Sequence, residues 1–207
     1  MRSRLPLFAS FVLVLCLSLL APVAYGETTI LVPWVPGDPL TWEDFQGTPP
    51  TNAAQQMEAA FIVTTIKMSA GTYVDQNGSS GHVGFYTDIV VANYMNPDKS
   101  WVLSSAACAH LLAHEQGHFD LSEAYRRKAV RMIEATRLYG SDPYAVQQQL
   151  YDRFTEIRNE IEVQASCATN RYDEETNHGL DTAQQARWFE QIEAWLEHPE
   201  SIPHWDS

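Results

Sequence analysis

The spacing of apolar residues changes near the middle of this chain. Up to about Leu103, apolar and β-branched residues come in runs, Phe61 to Met68 and His82 to Met95, separated by clusters of turn formers. That pattern predicts strands. Asp75-Gln76-Asn77-Gly78-Ser79-Ser80-Gly81 lies between the two runs and predicts a hairpin, because Asn-Gly readily takes the positive φ of a tight turn. Asn96-Pro97-Asp98-Lys99 predicts a second turn, leading into a strand at Ser100 to Leu103. Pro33 to Pro50, rich in proline and tryptophan, predicts an irregular lead-in with one short strand.

Beyond Leu103 the period lengthens to that of helices. The first is expected to open at Ser104 or Ser105 and close before Gly140, with Leu121, Tyr125, Ala129 and Met132 on one face. The second opens on Asp142 as N-cap and Pro143 at the first helical position, followed by Val146, Leu150, Phe154, Ile157 and Ile161 at helical spacing. A polar loop from about Asn170 to Leu180 then leads to a last helix near Thr182 to Glu197, which carries Phe189, Ile192 and Leu196. The expected class is α+β: a small antiparallel sheet in the N-terminal half packed on a long helix, with two further helices C-terminal to it.

The first residues change the picture. Arg2 and Arg4 precede an apolar stretch from Leu5 to Val23 and the small-residue pattern Ala24-Tyr25-Gly26. This reads as an export signal cleaved after Gly26, leaving one domain over 27–207, soluble and located in the periplasm or outside the cell. An uncleaved anchor is the alternative, since roughly 20 apolar residues span a bilayer. No later stretch is long and apolar enough to do so, so no stable membrane association is expected after cleavage. Losing Arg2 and Arg4 would take the net charge from −13 to about −15. A surface that acidic repels phosphate backbones and argues against nucleic acid as a partner. Of the three cysteines, Cys16 falls in the signal. Cys108 and Cys167 remain as a pair, to be read as one disulfide in an oxidising compartment or as two free thiols.

Candidate chemistry centres on His114-Glu115-Gln116-Gly117-His118. Two histidines four apart on a helix lie one turn apart on the same face and can share one cation. Zinc suits imidazole nitrogen and lowers the pKa of bound water towards about 7, and Glu115 beside the first ligand can deprotonate that water. The histidine face continues as Leu121, Tyr125, Ala129 and Met132, so it points into the protein. Gly117 costs roughly 1 kcal/mol in a helix interior and marks a place where another segment comes close to the backbone. His110, one turn earlier, is read as a neighbour of the site rather than a ligand, because a third turn lies about 5 to 6 Å further along.

A catalytic zinc takes three protein ligands and keeps one position open, so a third donor is needed. Tyr172-Asp173-Glu174-Glu175-Thr176-Asn177-His178-Gly179 is the best cluster. His178 is expected as the third ligand, with Gly179 letting the loop turn towards the site. Glu160 or Glu162 on the second helix is the alternative, completing a two-histidine, one-glutamate set. Asp120, Glu123 and Asp173 are candidates to accept the second ring proton of a ligand histidine. Tyr172 is a candidate donor to a developing oxyanion.

Leu111-Leu112-Ala113-His114-Glu115-Gln116-Gly117-His118-Phe119-Asp120, Tyr172 to Gly179, and Trp42-Glu43-Asp44-Phe45-Gln46-Gly47 together resemble the bacterial secreted proteins grouped as domain of unknown function 922, which are regarded as zinc-dependent proteases. The resemblance implies a zincin-like fold, export, a metal role for His114 and His118 and a catalytic role for Glu115. The leading expectation is a zinc metallopeptidase acting on a peptide or protein substrate, which would lie along an exposed strand near Ser100 to Leu103. A zinc-binding envelope protein without turnover, or an amidase acting on cell-wall peptides, are the alternatives.

Overall fold

The structure, a computed structural model, describes residues 29–53, 58–78 and 81–205. The expected export signal, with Cys16, lies outside the described residues, as do Ser79 and Ser80 in the hairpin turn. Over the described residues the chain is mixed α+β, with two small antiparallel sheets and three α-helices.

The two apolar runs form one long hairpin, β3 (Thr64–Asn77) and β4 (Gly81–Met95), paired antiparallel along its length. It begins after β1 (Val32–Pro33) and β2 (Ala60–Phe61). Side chains alternate across a strand, so Ile66, Met68, Ala70 and Val74 of β3 face the core, with Tyr86, Ile89 and Val91 of β4. A bulge keeps the two strands in phase: Ser69 faces Val90 but Gly71 faces Thr87, and Asp88 takes a φ of 47°. β1 pairs with the Tyr94–Met95 end of β4, and β2 pairs with β5 (Trp101–Val102) in a separate sheet.

α1 (Ala109–Ala135) starts later than expected from Ser104 and Ser105. Extended Cys108 is its N-cap, with the sulfur accepting from the Leu111 amide, and Ala106 is held in a turn by the Leu103 carbonyl. The helix also ends before Gly140. β6 (Leu138–Gly140) follows and pairs with His82 to Gly84, a strand too short for its alternation to be read in the sequence.

α2 (Pro143–Thr176) opens on the Asp142 N-cap as expected but runs through the polar loop assigned to Asn170 onwards. Its buried stripe explains why: Val146, Leu150, Ile157 and Ile161 are continued at helical spacing by Gln164, Ala168, Tyr172 and Thr176. Polar neighbours on the outer face hide that continuation. The helix stops at Asn177, which is left-handed. α3 (Thr182–Glu197) follows, capped by Asp181 and burying Gln185, Trp188, Ile192 and Trp195.

The main core lies between the sheet and the three helices, around Leu121, Tyr125, Ala129 and Ile133. A smaller cluster of Leu40, Phe45, Met95 and Phe119 covers the N-terminal part of α1, where the histidines sit. Cys108 and Cys167 are both free thiols, so the expected disulfide is not formed. The geometry accounts for this. Cys167 lies near Tyr125, and Tyr125 is about 25 Å along α1 from Cys108 at 1.5 Å per residue. Among the described residues no helix is long and apolar enough to cross a membrane.

Candidate metal centre

α1 presents His114 and His118 one turn apart, both buried, with ring centroids 4.8 Å apart. The last two turns of α2 meet them. Asp173 places a single oxygen, Oδ1, 3.1 Å from His114 Nε2 and 3.0 Å from His118 Nε2. One donor atom from each of His114, His118 and Asp173 therefore lies within 4.8 Å of the others, a group that could hold a metal ion. The chemistry of the donors fits zinc, which accepts imidazole nitrogen and carboxylate oxygen. The two imidazole-to-carboxylate distances are near the roughly 3.3 Å that separates ligands held about 2.0 to 2.1 Å from a tetrahedral ion.

Tyr172 fixes the two rings. It stacks on His114 at 4.7 Å and meets His118 edge-on at 4.8 Å. Its hydroxyl donates to the His114 carbonyl at 3.2 Å and is fully buried. A Cβ at residue 117 would lie 2.3 Å from that oxygen, which is why only glycine fits there. The close approach expected at Gly117 is thus made by Tyr172. Burial also raises the tyrosine pKa well above its ordinary value. The structure spends this hydroxyl on the helix backbone, so it supports a packing role for Tyr172 in place of the oxyanion donor suggested by the sequence.

Burial sets the electrostatics. It raises the Glu115 carboxyl to about 7, so this side chain can take up or release a proton near neutral pH. Burial dominates at His114 too and lowers its pKa. At His118 burial works against the charged form, yet the Asp173 hydrogen bond and the charges of Asp173 and Glu115 outweigh it and raise the pKa. Burial alone would raise Asp173, but hydrogen bonds from both imidazoles hold its carboxyl well below the usual range.

The other expected site residues fall into place around this group. His178, expected as third ligand, is not a member of it: its side chain is 69% exposed, with Nδ1 3.7 Å from Asp173 Oδ1. It sits in a turn where Asn177, His178 and Gly179 are all left-handed. His110 ties that turn down by a hydrogen bond to the Gly179 carbonyl, in keeping with a neighbour rather than a ligand. Glu160 and Glu162 lie on α2 roughly 15 to 20 Å along the helix from Asp173, and neither joins the group. Asp120 accepts from Trp34 Nε1 and Gln116 Nε2, both at 2.7 Å, while Glu123 is shared by Arg126 and Arg127. Of the three carboxylates expected behind the ligands, only Asp173 is at the site, and it faces the Nε2 atoms directly.

Gln185 of α3 is a further residue at the site, one that helical spacing alone does not single out. It is 2% exposed beside His114, on the same stripe as Trp188, Ile192 and Trp195. A polar residue inside an apolar stripe is the signal that could have found it.

No family model matches the sequence, and no curated protein or solved structure matches it.

Proposed function

We propose that this chain is an exported zinc-dependent hydrolase of zincin-like fold, acting on a peptide or protein substrate, with His114, His118 and Asp173 as the metal ligands and Glu115 as general base. The observation that carries this reading is the convergence of two buried Nε2 atoms on one carboxylate oxygen, beside a buried glutamate with a pKa of about 7. Asp173 replaces His178 as third ligand in this reading because it stands on a rigid helix with its oxygen already between the rings. Zinc held there supplies Lewis acidity and a water of lowered pKa. Two neutral imidazoles and one carboxylate leave a net positive charge on such a dication, which preserves that acidity. Glu115 accepts the proton of the attacking water and returns it to the leaving amine, a role that needs a carboxyl able to change state near neutral pH. The buried Tyr172 and Gly117 contact holds the two histidines in register for this work. Export to the periplasm or beyond rests on the Arg2 to Gly26 pattern, and the resemblance to the domain of unknown function 922 family rests on the motifs quoted above.

Metal content and hydrolysis of a mixed peptide library, measured together on four proteins, test this. The wild type should carry about one zinc per chain. Glu115→Gln should keep the metal and lose at least roughly 100-fold in turnover, the usual size of a general-base contribution. Asp173→Ala should lose the metal, whereas His178→Ala should keep it. Undiminished turnover in Glu115→Gln contradicts the mechanism. Zinc bound by a wild type without turnover would favour the binding protein over the hydrolase.

A further inference from the structure

The back of the His114 ring is unfinished in a particular way. His114 Nδ1 and Gln185 Oε1 are both buried, and neither has a hydrogen-bond partner among the described residues. They belong to adjacent side chains. Gly179 packs against both: a Cβ there would lie 3.0 Å from His114 Cγ and 3.1 Å from Gln185 Oε1. The amide is close enough to favour the protonated form of the ring, although the two atoms make no hydrogen bond in this geometry. On the opposite edge of the same ring, Nε2 faces the Asp173 oxygen.

A neutral imidazole has one N–H and one lone pair. Between two acceptors, Asp173 at Nε2 and Gln185 at Nδ1, it can satisfy only one. With the proton on Nε2, the Nδ1 lone pair confronts the Gln185 oxygen, and two buried acceptors are left unpaired, at a cost. A cation on Nε2 resolves the conflict. It takes the Nε2 lone pair, moves the ring proton to Nδ1, and gives Gln185 the donor it lacks. Metal-bound histidines usually hand their second ring proton to such an acceptor, which fixes tautomer and ring orientation.

We infer that Gln185 is a positioning residue of the metal centre, its Oε1 accepting the Nδ1 proton of His114 and selecting the tautomer that binds metal through Nε2. This rests on the proposed zinc site and deepens it, because it ties α3 to a centre otherwise built on α1 and α2. It also gives Gly179 a purpose beyond turning the chain, since a side chain there would crowd both partners.

The test is competition for Zn²⁺ between a chromophoric chelator and the purified metal-free protein, as wild type, Gln185→Leu and Gln185→Glu, with the unfolding midpoint of each metal-free protein recorded. Gln185→Leu removes the acceptor at similar volume and should weaken zinc binding 10- to 100-fold. Its metal-free midpoint should hold or rise, because an unsatisfied buried oxygen is gone. Gln185→Glu keeps an acceptor at the same reach and should bind zinc at least as tightly as wild type. Wild-type affinity in Gln185→Leu overturns the inference while leaving the zinc site standing. Equal weakening in both variants also overturns it, since that assigns Gln185 to packing. A wild type that takes no Zn²⁺ overturns this inference and the proposed site together.

Discussion

Burial lets Glu115 change protonation state near neutral pH, and it makes the side chain a liability when no metal is present. Folded, it holds its proton up to about pH 7, against an ordinary value of 4.5. Between these values the folded state binds more protons than the unfolded one, so stability falls as pH rises through the window. Above it, the ionised buried carboxylate costs up to roughly 3 kcal/mol. Metal-free Glu115→Gln should therefore be more stable than metal-free wild type at pH 8, with the advantage fading towards pH 4.5. Urea unfolding at several pH values measures this, and parallel profiles for the two proteins would contradict it. At this scale the sequence was informative about types and poor about partners. The spacing of His114 and His118 on a helix face was legible because helical period alone brings them together. Asp173 was visible only as an accessory carboxylate, since nothing local says that its Oδ1 comes between two rings 55 and 59 residues away. Tyr172 shows the reverse failure, because a hydroxyl in a motif suggests chemistry until its acceptor on the helix backbone is known.

The elements were best legible where one face is apolar, as in α3, or where the end carries a cap, as at the start of α2 with Asp142 and Pro143. They failed at composition. Asn170 to Thr176 reads as loop because its outer face is polar, yet Tyr172 and Thr176 continue the buried stripe and keep the helix going to Thr176. The difference bears on the proposed site, for a side chain on a helix is held more firmly than one on a loop. The helix end itself can be tested. Asn177 is left-handed, with φ 50° and ψ 52°, a conformation that asparagine and glycine tolerate and β-branched residues do not. Asn177→Gly should leave stability within about 0.5 kcal/mol of wild type, and Asn177→Val should lose roughly 1 to 2 kcal/mol. If both substitutions were silent in thermal unfolding, the turn would not be the ordered helix end described.

At the scale of the whole molecule, the site exists because three helices of different sequence distance meet over one sheet. α1 supplies two histidines and the glutamate, α2 the aspartate and the tyrosine behind the rings, and α3 the buried amide. Contacts between helices govern this arrangement, and they were not legible from the chain: periodicity gives each stripe but not which stripe faces which. The α+β class and the long hairpin were legible, since runs of β-branched residues and a turn cluster fix them locally. β6 and the separation of Cys108 from Cys167 were not, because both depend on where the far end of α1 lies. The most direct measurement is an anomalous-scattering map at the zinc edge from crystals of the protein loaded with Zn²⁺. The account predicts one strong peak bounded by His114 Nε2, His118 Nε2 and an Asp173 carboxylate oxygen. A map with no peak there, the carboxylate still hydrogen-bonded to both rings, would contradict it.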